Sequence, residues 1–268
     1  INAAGQAGKA AGDMKLTLAP FEPVPLRALN LKGRNINPGF FNPALPAADL
    51  SMAISANIDP AKAISGTVDI ANDGKVGPLD KQLLPLLSMR GRLGGTLAAM
   101  QIDDVLVDLG AAGKFTGGGA VQRGPDEKGI GGAQFKLHTD RINLKALYST
   151  MKATAIAGDI QLTSTADVQT LGAQLSERGM RLDAQATLAK QILEIKRARL
   201  TVGSGHVDLA GSASLEGKRE FKVGATAVHF NPAALGDFPA ADINALVNAS
   251  GALAPEWRFG SDFTLRPS

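Results

Sequence analysis

Ser149-Thr-Met-Lys152 has the Ser-x-x-Lys spacing that, on a helix, sets a lysine beside a serine nucleophile for acyl transfer. The companions of that chemistry, Ser-Asp-Asn and Lys-Thr-Gly, are absent from the chain. The three histidines, His138, His206 and His229, are not at ligand spacing from one another, and each falls on the polar face of a predicted strand. Asp103 and Asp104 with Asp108 form an acidic cluster. Period two puts Asp104 and Asp108 on one face, which reads as a solvated strand face rather than a cation site. Gly117-Gly118-Gly119 lacks the strand–Gly-x-Gly-x-x-Gly–helix setting of a phosphate cradle and fits strand bulges or tight turns better. Asn248-Ala-Ser250 is a formal glycosylation sequon inside a predicted strand and is discounted. No catalytic residue, metal site or cofactor is assigned, and the expectation is a protein that is not an enzyme.

Composition points the same way. The chain has 268 residues and no cysteine, which excludes a disulfide framework, a Cys-ligated zinc and a thiol nucleophile. Net charge is +3, with Lys and Arg scattered among Asp and Glu rather than striped with stacking aromatics, so nucleic acid is not an expected partner. Hydrophobic residues make up 44% but aromatic residues only 4%. The apolar surface is therefore built from Ala, Leu, Val and Ile, without the large rings that usually anchor a compact core. No run of eighteen apolar residues is present. The opening Ile1-Asn2-Ala3-Ala4-Gly5 has neither an initiator Met nor a signal-peptide pattern, and reads as beginning mid-protein.

The elements are mostly strands. Period-two alternation runs through 50–58, with Leu50, Met52, Ile54, Ala56 and Ile58 on one face. It recurs at 180–188, 205–215 and 219–227. Arg178-Gly179, Gly203-Ser204-Gly205 and Glu216-Gly217-Lys218 are short turn signals between them, so 170–230 reads as an antiparallel meander. Helices are few: 143–152, with Asn143 as N-cap, and a weaker candidate at 79–87 that contains Pro85.

The chain also repeats itself. Asn37-Pro38 followed by Pro46-Ala-Ala-Asp49 and an alternating strand returns as Asn231-Pro232, Pro239-Ala-Ala-Asp242 and another strand, the two Pro-Ala-Ala-Asp runs lying 193 residues apart. Arg141-Ile-Asn-Leu144 with Ala157-Gly-Asp-Ile160 is a weaker copy. The expected organisation is one continuous array over 1–268, with repeat units at approximately 30–140, 141–224 and 225–268, the last truncated. Asn37-Pro38 and Asn231-Pro232 should mark crossing segments, since proline cannot donate to a ladder.

Ser65-Gly-Thr-Val-Asp-Ile-Ala-Asn72, Gly77-Pro-Leu-Asp80, Leu84-Pro-Leu86 and Arg90-Gly-Arg-Leu93 resemble the middle of the TamB family of translocation and assembly module subunits, relatives of the AsmA-like bridge proteins. Ile195 to Gly211, leading to Phe230-Asn231-Pro232, resembles the same region. The likeness covers most of 30–268 and leaves residues 1–30 unread. It implies an internal periplasmic fragment of a protein anchored in the inner membrane of a Gram-negative envelope. It also implies a taco-shaped β body with a greasy groove, phospholipid movement between inner and outer membranes, and outer-membrane protein assembly with a barrel partner of the TamA type. It brings no catalytic residues.

The fold class expected is therefore all-β: an elongated, repetitive, curved antiparallel sheet with an open hydrophobic groove and a few short helices at crossing segments. At ten residues a strand the chain supplies roughly 18–22 strands about 4.8 Å apart. A rod of that kind should have a radius of gyration above about 25 Å, against about 18 Å for a globule. The groove wall expected from the alternation is Met52, Ile54, Val68, Ile70, Phe135, Leu137, Ile160, Leu162, Leu182, Leu188, Val207, Leu209, Phe221, Val223 and Val247, holding phospholipid acyl chains. Two other readings stand beside it: a closed sandwich core built from the same residues, and a chaperone-like scaffold that takes nascent outer-membrane proteins by β-augmentation.

Overall fold

Within each of the two units described below, each strand pairs with the strand next to it in sequence, and the pairing is antiparallel throughout. The computed structural model describes residues 1–22, 24–41, 45–124, 130–235, 238–254 and 256–265. The chain divides into two units, residues 1–149 with 153–155 and residues 150–152 with 156–268.

The first unit holds β1 (Asn2–Ala7), β2 (Ala10–Leu18), β3 (Leu26–Ile36), β4 (Leu50–Ile58), β5 (Ile64–Asn72), β6 (Ser88–Gly95), β7 (Ala99–Asp108), β8 (Lys114–Arg123) and β9 (Ile130–Ile142). The registers run from β1 on β2 to β8 on β9 without a crossover. The second unit holds β10 (Ile156–Thr165), β11 (Val168–Glu177), β12 (Met180–Ala189), β13 (Ile192–Val202), β14 (Gly205–Ser214), β15 (Glu220–Phe230), β16 (Ile243–Ala252) and β17 (Arg258–Leu265). They pair in the same stepwise way. Neither sheet closes on itself among the described residues: β1 has no register with β9, nor β10 with β17.

The strand reading at 50–58 coincides with β4, and those at 180–188, 205–215 and 219–227 correspond to β12, β14 and β15. Two-residue turns such as Arg178-Gly179 and Lys190-Gln191 join strands in the second unit; Lys190 and Gln191 both take positive φ, 48° and 60°, the backbone of a type I′ hairpin. The helix reading needs correction. The 143–152 segment yields only α2 (Leu144–Leu147), and 79–87 yields one 3-10 turn, Leu79–Lys81. A single turn fixes many dihedrals for few hydrogen bonds, and Tyr148 already returns to extended backbone. Asn143 is nonetheless the N-cap, accepting from the Lys145 N–H at 3.2 Å. Seventeen strands stand among the described residues, fewer than estimated, because the connections between β3 and β4, β5 and β6, β9 and β10, and β15 and β16 use chain without adding strands.

Three of those connections share one construction. After β3, Asn37 Oδ1 accepts from Gly39 N–H at 3.0 Å at the start of α1 (Pro38–Phe41), and from Ala48 N–H at 3.5 Å. After β9, Asn143 Oδ1 accepts from Lys145 and, at 3.3 Å, from Thr154 N–H. After β15, Asn231 Oδ1 accepts from Ala233 N–H at 3.1 Å and Ala241 N–H at 3.4 Å. In each case one amide caps the short helical turn and clamps the returning chain two residues before the next strand begins. Pro38 and Pro232 both sit in these turns, outside any ladder. The repeat boundary read near 140 falls at the end of β9, while the one read near 224 lies inside β15, whose ladders with β14 and β16 run across it.

Little of the chain is fully buried. Val24, Ile58 and Ile64 form a small cluster with Leu26 at one end of the first unit; Val105, Ala112, Ile142 and Ala245 are the other buried apolar residues. The chain exposes 16709 Å², against about 11,000 Å² for a compact protein of this mass. No helix among the described residues is long and apolar enough to cross a membrane.

Candidate functional site

Residues opposite one another in an antiparallel ladder share a face. Followed strand to strand, the registers of the first unit give a row Leu16–Leu29–Ala56–Gly66–Leu93–Ile102–Gly119–Phe135 across β2 to β9. Beside it run Met14–Leu31–Ile54–Val68–Gly91 and Met52–Ile70–Met89–Val107–Phe115, and Leu137 lies opposite Gly117 on the same face. No charged residue occupies these rows. Arg27, at the bulge where β3 leaves β2, is tied at the rim to Glu22 and to the Ile58 carbonyl. The opposite face carries Asp13, Lys32, Ser55, Thr67, Asp69 and Arg92.

The second unit repeats the arrangement. Ile160 heads the row Ala173–Ala184–Ala198–Leu209–Ala225–Val247–Phe263. Leu162 shares a row with Leu171, Ala186, Ile195, Gly211 and Val223; Leu182 and Val207 lie in the row from Leu175 to Leu265; Leu188 and Phe221 lie in a fourth with Leu193 and Phe259. Of the fifteen residues expected on a groove wall, Met52, Ile54, Val68, Ile70, Phe135 and Leu137 thus share one face of the first unit. The other nine share one face of the second. All are half-buried except Leu162, which is 41% exposed. A sandwich core would bury such side chains below a few percent; here no second layer covers them among the described residues.

Glycines show which way each sheet bends. On the apolar face, a Cβ at Gly66 would lie 2.0 Å from the Ser55 carbonyl oxygen, and one at Gly205 2.0 Å from that of His229. Gly117, Gly119, Gly158, Gly211 and Gly251, also on that face, are blocked by neighbouring backbone within 2.5 Å. On the polar face, Gly94, Gly172 and Gly260 have open space, Gly224 meets only a side-chain oxygen at 3.3 Å, and Gly118 is intermediate at 2.9 Å. At these positions adjacent backbones lean over the apolar face, the usual work of glycine kinks in curled sheets, whereas Gly12 and Gly91 on the same face meet backbone only at 3.5 and 3.6 Å. Hollows on the polar face, of about 570 Å³ around Ser51, Asp69 and Arg90 and about 300 Å³ around Gln174 and Arg197, are wide and open. A twisted sheet is concave along one diagonal on either face, which accounts for them.

The residues singled out for chemistry are drawn into structural ties. The Ser149 hydroxyl and N–H both donate to Asp80, the latter at 2.9 Å, while Lys152 Nζ donates to the Ala233 carbonyl, so serine and lysine serve different partners. The Ser149 hydroxyl bond holds the Asp80 carboxyl below its ordinary range. The alternation read through Asp103, Asp104 and Asp108 fails, because β7 bulges between Ile102 and Val105 with Asp104 at φ 49°. Asp104 pairs with Arg92, and Asp108 with Lys114 at 2.8 Å. Each histidine sits beside an aspartate: His138 by Asp140, His206 by Asp208 and His229 by Asp242. No metal-holding group of three or more His, Asp or Glu side chains occurs among the described residues.

The sequence reading missed the wall residues of β2, β3, β6 and β7. Their alternation is present in Met14 and Leu16 or Leu29 and Leu31, but glycines and bulges interrupt it. It also missed Glu177, the one charged residue in the apolar rows of the second unit, opposite Met180 at the β11–β12 hairpin. Comparison with protein-family models, with characterised proteins and with solved structures returns no match.

Proposed function

We propose that this chain is a segment of a periplasmic bridge of the TamB kind, carrying phospholipid acyl chains along the apolar faces of its sheets. The observation that carries the reading is the set of apolar rows across β2 to β9, which hold no charge along their length and have no covering layer among the described residues. Burial of acyl chains there would remove apolar surface from water at about 25 cal/mol per Å², a gain open to any long aliphatic guest. The reading gives the chain a carrier's role and no bond-making step. Membrane anchoring and an outer-membrane barrel partner belong to the same proposal, through parts of a longer protein.

Native mass spectrometry of the purified chain tests it, run beside Ile54→Asp and Val223→Asp. Bound phospholipid is expected on the parent and depleted on both variants, whose folding stability should change by no more than about 1 kcal/mol because the carboxylate can reach water. A buried, uncompensated carboxylate in a closed core would instead cost several kcal/mol. Unfolding of both variants with no lipid on the parent overturns the proposal. Retained outer-membrane polypeptide in place of lipid would favour the scaffold reading, for which the edge strand β17, with Phe259 and Phe263 exposed, is the pertinent feature.

A further inference from the structure

Neighbouring antiparallel strands need only a two-residue turn, as between β11 and β12. β5 and β6 are joined instead by residues 73–87, in which Leu79–Lys81 form a single 3-10 turn. Connections of that length without elements of their own are uncommon and mostly serve as lids or binding loops. The root of this one is Asn72, buried on the apolar face opposite Leu50 and two residues beyond Ile70. Its Oδ1 accepts from the N–H groups of Asp49 and Gly74, each at 3.1 Å, and its Nδ2 donates to the Leu86 carbonyl at 2.9 Å. Both ends of the segment are thereby drawn to the apolar side of the rim. The Ala47 N–H donates to the Gln82 carbonyl at 2.8 Å and the Leu84 N–H to the Ala47 carbonyl at 3.2 Å, tying the second half to the chain ahead of β4. The middle reaches the other way along the rim, where Asp80 accepts both Ser149 donors, beyond β9. Asp80 is the one side chain of 73–87 with a hydrogen bond among the described residues. One strap thus follows the rim from β4 to past β9, with Val76, Leu83, Leu84 and Leu86 half-buried along it.

We infer that residues 73–87 are a latched strap on one rim of the first unit, and that release of Asp80 from Ser149 admits acyl chains sideways onto the apolar rows. The inference rests on the acyl-carrying role proposed above and adds a gate to it. The two ties differ in the way a gate needs. The Asp80 latch is part-buried, so water replaces it readily, whereas the Asn72 bonds lie around a buried amide and persist as the hinge.

The test offers the whole chain vesicles of phosphatidylethanolamine and phosphatidylglycerol that carry an acyl-labelled, self-quenched phospholipid, and reads loading from the rise in fluorescence. Asp80→Ala should speed loading about fivefold, the scale of one charge-assisted bond partly offset by solvent. Adding Ser149→Ala should speed it no further, since both changes open one latch. Lipid held at equilibrium should not change. Asp80→Cys with Ser149→Cys supplies the only two thiols of the chain. Joined by a short bis-maleimide, they should remove most of the loading seen when the same thiols are capped singly with N-ethylmaleimide. Loading of Asp80→Ala at the parent rate, or equal rates for bridged and capped protein, overturns the gate alone. Labelled lipid taken up by neither parent nor variants overturns the carrier reading beneath it.

Discussion

Arg199 and Asp208 face each other across β13 and β14, with Arg199 Nε donating to Asp208 Oδ1 at 2.6 Å in a forked pair. The Arg199 bonds hold the Asp208 carboxyl below its usual range, Arg181 does the same for Asp183 on β12, and Lys114 for Asp108. A carboxyl lowered in the folded state adds stability that is complete above its unfolded value near pH 4 and is lost as pH falls through the folded value. Melting temperature should therefore fall as pH is taken from about 5 towards 2. Asp208→Asn should start lower and fall less over that limb; a parallel slope in the two would show that the pair contributes nothing. The facing pair was within reach of the sequence, through the turn read at Gly203-Ser204-Gly205, whereas the forked geometry was not. Arg199 and Asp208 are nine positions apart, and the Gly203-Ser204 turn alone sets them opposite, counting back from Val202 against Gly205; the β13 bulge between Ile195 and Ala198 lies beyond the pair.

The strands were legible because β4 and β12 alternate without interruption, and a face that alternates cannot slip by one residue without exposing its whole apolar set. Bulges were not legible: Asn35 and His229, both at positive φ, sit in register shifts of β3 and β15 that period two cannot foresee. Both lie two residues before a clamping asparagine, so two of the three crossings carry the same kink; Arg141, two before Asn143, is not at positive φ. The sequence repeat had pointed at Asn37 and Asn231 through their prolines, while the hydrogen bonds that matter belong to the asparagine amides. Asn231→Ala and Asn37→Ala should each lower stability by about 1 kcal/mol, the usual cost of losing such a cap. Asn231→Asp should recover most of it, since its oxygen still accepts. Chemical denaturation of the three variants measures this, and an alanine variant as stable as the parent would refute the clamp.

Across the whole molecule, surface is the telling quantity. Folding removes roughly 23,000 Å² from water, against about 29,000 Å² for a compact protein of equal mass. Because the denaturant slope follows the area exposed on unfolding, the urea m-value should be about a fifth below that of a compact 268-residue chain. A value at the compact norm would mean that the apolar faces are covered in solution. The same deficit explains why the fold class could be read from local alternation. A single layer needs only alternation, which is local, and alternation alone does not name what would cover its open face.

Strict neighbour-to-neighbour pairing has a temporal consequence. A strand such as β12 needs only β11 before it and β13 after it, joined by two-residue turns, so loop-closure costs stay small at every step. Each unit can thus be laid down strand by strand in the order of synthesis, the finished edge templating the next arrival. No strand waits for a distant partner, as it would in a barrel or Greek key. A chain delivered end-first through a narrow pore could fold at the pace of its delivery, with one bare edge at a time.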